Sequence, residues 1–189
     1  VDGVPGETAA HDVPVVLAAL DFSKEDWRRT AAHAAHHARL RGAAVHLVHV
    51  LAPVPWLLRR VLDEDSLDAQ AAQRATQAEV LLEEGVDQCE GVPVTVEVRR
   101  GKPAAEILAA VRERRAELLV IGVGDPSATA LIVGGTADRL LRLSPVPLLL
   151  RGPRAPAPVR HVLVPTGLGP SGAYAIQTAV GLVAGKAEA

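Results

Sequence analysis

Gly122, Gly134, Gly135 and Thr136 are the residues whose type and spacing most readily do chemistry. Gly122 ends an apolar stretch, and the other three open an amphipathic segment reaching to about residue 143. A helix starting there turns its unpaired N–H groups and the positive end of its dipole into the intervening loop, which makes an anion site. Phosphate suits such a loop, because glycine lets the backbone approach it closely. Asp125 stands inside the same loop, and no Lys or Arg occurs between 116 and 138 to offset it. A carboxylate about 5 Å from a phosphate opposes it by roughly 3 kcal/mol at an effective dielectric near 20, about a hundredfold in affinity. The plain alternative is a loop that only caps its helix.

Asp21 is the second candidate. It follows an apolar run over 13–20 and precedes Ser23. That places it at the carboxyl end of a strand, where open α/β sheets take ligands; otherwise it is an N-terminal helix charge. Other constellations have plainer readings. His33, His36 and His37 fall at i, i+3 and i+4, a spacing that can hold a metal. No Cys, Asp or Glu nearby completes a set, so they read as a solvated helix face and no metal is expected. His46 and His49 alternate with apolar residues and read as packed imidazoles. Arg99-Arg100 and Arg112, Arg114 and Arg115 read as solvated surface. Residues 167–172 spell G-x-G-x-x-G, yet only 17 residues follow, too few for the strand that bears a ribose-binding acid. No nucleophile elbow, Cys/His pair or H-E-x-x-H occurs, and no general acid or base can be named.

The elements that would position these residues follow from hydrophobic pattern. Apolar runs at 13–20, 44–51, 92–98, 118–122 and 146–150 read as strands buried in a parallel sheet. Helical periodicity covers about 24–41, 65–88, the segment after Pro103, and 133–143. Ser23 is expected to cap the first of these and Gly42 to end it. Alternating strands and helices with long connections predict a doubly wound parallel α/β sheet. Residues 1–12 read as a loose lead-in, 13–152 as one domain and 153–159 as a Pro-rich linker. In 160–189 the first strand, loop and helix begin again: Val162 to Gly167 lines up with Val16 to Asp21. This tail is expected to pack in an ordered way.

Composition limits the function classes. The 189 residues are 49% hydrophobic, enough for a core, and the net charge of −2 offers no excess to hold a polyanion. The aromatics are too few for a base-stacking platform, so no nucleic-acid partner is expected. No apolar run is long enough to span a bilayer, so no membrane partner is expected. No secretory leader pattern occurs, and the single cysteine, Cys89, fits a reducing compartment. The absence of methionine leaves open a processed start, a larger parent chain or a Val start codon.

Asp21-Phe22-Ser23, Gly101-x-Pro103, Gly122 and the run from Gly134-Gly135-Thr136-Ala137-Asp138-Arg139 to Pro145-Val146-Pro147 together resemble the universal stress protein family. The resemblance covers 13–152, with 160–189 as a partial second copy. It implies a five-stranded parallel sheet of order 3-2-1-4-5, adenine nucleotide alpha hydrolase-like. It also implies a cytoplasmic, nucleotide-sensing module of the stress response that binds ATP or AMP, with or without Mg²⁺. The family's phosphate loop reads G-x2-G-x9-G-[ST], which puts Asp125 where a second glycine stands. Counted from Gly122, the terminal pair is Gly135-Thr136; counted back from Asp138-Arg139 it is Gly134-Gly135, without the hydroxyl. The site residues implied are Asp21 at the adenosine, the backbone near Val50 at the base, Gly101, and Gly122, Asp125, Gly134, Gly135 and Thr136 at the phosphates. A homodimer pairing from Val146 to Leu150 is implied as well. The competing readings are a dimeric interaction scaffold with a decayed loop and a weak ATP hydrolase lacking a visible base.

Overall fold

A computed structural model describes residues 13–54, 63–123, 135–152, 162–167 and 169–184. The lead-in 1–12, the linker 153–159, Asp125 and Gly134 lie outside the described residues. Five strands and five helices alternate: β1 Val15–Ala19, α1 Trp27–Arg41, β2 Ala44–Leu51, α2 Glu64–Asp87, β3 Val94–Arg100, α3 Pro103–Glu113, β4 Ala116–Gly122, α4 Gly135–Leu143, β5 Leu148–Arg151 and α5 Pro170–Ala184. The sheet runs β3-β2-β1-β4-β5 with every pairing parallel, the order that the resemblance implied.

Period-two alternation in β1 divides the core. Val16, Ala18 and Leu20 face one side, where they meet Trp27, Ala31, Ala34, Ala35 and Ala38 of α1 and Leu82 of α2. Leu17 and Ala19 face the other, against Ile107, Leu108 and Val111 of α3 and Leu140 of α4. Alanines on α1 let the helix sit close to the sheet. The same closeness explains Gly122, where a Cβ would stand 2.8 Å from the Thr30 hydroxyl. Gly42 closes α1 at φ +59°, a left-handed terminus that glycine adopts without strain.

Several expectations are corrected. Ser23 does not cap α1: its N–H and hydroxyl both donate to Asp21 Oδ1, at 3.2 and 2.6 Å, and the helix begins only at Trp27. This local Asx turn competes with helix and wins. The helix face carrying His33 and His37 is buried rather than solvated. Arg99 is not free surface, for its guanidinium gathers Glu97, Glu106 and Glu113 at 3.4, 3.2 and 2.9 Å. Residues 162–167 form no strand among the described residues, because Pro165 removes a ladder donor and no sheet edge pairs with them. The helix that follows does form, and Leu182 packs against the α1 side of the core. No second copy of the domain is seen among the described residues.

Candidate functional site

The carboxyl ends of β1 and β4 lie side by side at the place where the strand order reverses. A crevice of about 490 Å³ opens there. The sheet order favours a gap here, because α1 follows β1 on one face of the sheet and α4 follows β4 on the other. Asp21, Val50, Gly122 and Thr136 all line it. Gly135 is the first residue of α4, beside Thr136. Gly101 lines an adjoining pocket of about 340 Å³ that shares Leu51, Ala52 and Arg74 with the crevice. Its φ of +149° and a Cβ position 2.6 Å from Glu106 Oε1 require glycine there. Asp125 and Gly134, expected at the phosphates, lie outside the described residues.

The floor and walls are ordered by short-range chemistry. Asp21 is exposed and holds the β1–α1 corner by accepting from Ser23. His49, which read as a packed imidazole, lies on the wall of the crevice. Its Nδ1 is 2.8 Å from the Leu20 carbonyl oxygen, which can only accept, so Nδ1 carries the proton. Burial lowers the His49 pKa, more than the Leu20 bond raises it, so Nε2 is left as an acceptor at neutral pH. Phe22 stacks on the same imidazole with ring centres 4.3 Å apart and meets Trp27 edge-on at 4.9 Å. The crevice thus carries a stacked Phe22–His49 pair beside its polar groups.

Two cations on the wall had no sequence signal. Lys24 reaches across the seam, its Nζ donating to the Gly122 carbonyl at 2.9 Å and lying 3.6 Å from Asp21 Oδ2. The sequence between Gly122 and Asp138 has no Lys or Arg, and the fold brings this one to Gly122 from 98 residues away. Arg74 of α2 lines the wall beyond His49 and belongs to the adjoining pocket as well. Among the described residues no group of three or more His, Cys, Asp or Glu is placed to hold a metal. Cys89 is buried with its thiol pushed up to about 11 by desolvation, so it is a poor nucleophile.

An open parallel sheet with its crevice at the switch point defines a doubly wound α/β protein of the adenine nucleotide alpha hydrolase-like fold. Residues 14–150 match the universal stress protein family, and the chain belongs to that family. A universal stress protein of Thermus aquaticus is 29% identical over 137 residues, covering 71% of this chain and 96% of its own. The universal stress protein of Archaeoglobus fulgidus in complex with dAMP shares the fold at TM-score 0.50 and 24% identity, over 74% of this chain and 98% of that one. Another universal stress protein, crystallised with cAMP, matches at TM-score 0.55 and 15% identity, over 75% and 98%. Among the described residues no helix is long and apolar enough to cross a membrane.

Proposed function

We propose that this chain is a cytoplasmic nucleotide-sensing module that binds ATP or AMP in the seam between β1 and β4. The observation that carries the reading is the convergence of Asp21, Val50, Gly122 and Thr136, from four separate elements or corners, on one crevice of about 490 Å³. A volume of that size suits a small-molecule ligand. The stacked Phe22–His49 pair accommodates a base, and the start of α4 offers N–H groups to phosphate. The dAMP and cAMP complexes of relatives support adenine nucleotides as the ligand class. The role proposed is sensing rather than turnover, the role that the family resemblance implies.

A second reading, a dimeric scaffold without nucleotide, is favoured by one observation. β5 is an edge strand of the sheet, and Leu141 and Leu143 on the preceding helix are exposed. The proposal for oligomeric state is a homodimer that pairs along Val146 to Leu150. Thermal melting of nucleotide-free protein with about 1 mM Mg-ATP, and separately AMP, separates the readings. With a dissociation constant on the order of 10 μM, linkage adds about 2.7 kcal/mol. The midpoint then rises by roughly 5–10 °C for a domain of this size. An unchanged midpoint with both ligands would leave the scaffold reading standing.

A further inference from the structure

We propose that Lys24 is the phosphate-neutralising residue of the crevice and that it sets the preference for nucleotides with more phosphates. The proposal rests on the nucleotide reading above. A nucleotide would bring negative charge to the seam, and the sequence after Gly122 holds no Lys or Arg before Arg139 to meet it.

Three features place Lys24 to meet that charge. Its ammonium sits on the seam, bonded to the carbonyl of Gly122, the last residue of β4. It shares the crevice wall with Thr136 in the first turn of α4, so the cation and the helix N-terminus address the same space. Its side chain is one-third exposed, and of the ammonium's three donors one is hydrogen-bonded, to the Gly122 carbonyl, while Asp21 Oδ2 at 3.6 Å is an ion-pair contact. An incoming phosphate can therefore be met without breaking the bond to Gly122. A compact, rotatable point charge also tolerates phosphate groups at varied positions better than a planar guanidinium does.

The local turn is what makes this geometry. Because Ser23 is bonded to Asp21 rather than capping α1, residues 21–26 stay out of the helix and carry Lys24 over to β4. A helix beginning at residue 24 would have carried the side chain along α1 instead. Lys24 also stands beside Asp21, so the carboxylate assigned to the adenosine and the cation assigned to the phosphates hold each other in place.

The test is calorimetric titration of wild type, Lys24→Gln and Lys24→Arg with adenosine, AMP and ATP, with melting used to confirm that each variant is folded. Wild type should bind in the order adenosine, AMP, ATP from weakest to tightest. Lys24→Gln should weaken ATP on the order of tenfold or more, the size of a lost charge-assisted bond, and adenosine by a much smaller factor. Lys24→Arg should recover most of the ATP affinity. Equal loss of adenosine and ATP in Lys24→Gln would show that Lys24 only holds the corner, and would overturn the inference while leaving the nucleotide reading intact. Unchanged ATP affinity in Lys24→Gln would overturn it too. Wild type that binds none of the three would overturn both.

Discussion

The opening unit of the chain and its tail carry nearly the same local pattern and meet different fates. Val16 to Asp21 reads VLAALD and Val162 to Gly167 reads VLVPTG, each followed by a loop and a helix of 15 residues. In the first, Val16, Leu17 and Ala18 are fully buried, with β2 on one side and β4 on the other. In the second, Leu163 is 92% exposed and no strand forms. The helices differ in the same sense. α1 buries eight of its residues, whereas α5 leaves Tyr174, Ile176 and Val180 in solvent. An apolar run therefore states a tendency, and only neighbours on both edges turn it into a strand. The same distinction separates a glycine-rich turn that makes a site from one that does not. Asp21 lies at a seam between two strands, while the G-x-G-x-x-G of 167–172 follows no strand among the described residues.

The sharpest way to break this comparison is to truncate matched leucines. Leu17→Ala in β1 should cost about 2–5 kcal/mol in urea unfolding, the range for a fully buried leucine. A cost under about 1 kcal/mol would mean that β1 is not the core strand described here. A smaller but distinctive effect comes from His37 in α1, which is buried with neither ring nitrogen bonded among the described residues. Desolvation, with help from His36, Arg41 and His33, lowers its pKa to about 4. The unfolded imidazole takes a proton near pH 6.5 and the folded one only near 4, so the unfolded state gains protons first. His37 therefore lets stability stand in full above pH 6.5 and removes up to about 3 kcal/mol as the pH falls toward 4. Replacing it, His37→Leu, should flatten the difference between unfolding at pH 7.5 and pH 4.5; an unchanged slope would show that His37 is hydrated in the fold. The smallest effect belongs to the tail, where Leu163→Ala should change stability by less than about 0.5 kcal/mol. A loss comparable to Leu17→Ala would show that the two units are equivalent after all.

The alternation of strands and helices was legible from local periodicity, whereas the strand order came only from the resemblance carried by Asp21, Gly101, Gly122 and Gly135-Thr136, since periodicity does not reveal it. What escaped was contact across the chain. Lys24 looks like an ordinary helix-start charge until β4 is placed next to β1, and Arg74 belongs to a polar helix with no motif of its own. Gly122 was legible as a loop glycine, but its second constraint, the Thr30 hydroxyl, lies on a different element. The histidines of α1 escaped for a related reason: alanines at helical spacing mark one buried face, and burial of the other depends on what packs there. Arg41, which depresses the His37 pKa, lies 3.8 Å from where a Cβ on Gly181 of α5 would stand. Ser23 was misjudged because an N-cap and an Asx turn draw on the same residue types, and only the backbone decides between them.

The most direct measurement is calorimetric titration of Mg-ATP into nucleotide-free wild type and into Asp21→Ala, with both proteins shown to melt cooperatively. A nucleotide-sensing crevice predicts saturable binding at one site per chain in wild type and its loss in Asp21→Ala without loss of the fold. Binding of equal affinity in both proteins would place the ligand away from the β1–β4 seam, and no binding in either would contradict the account.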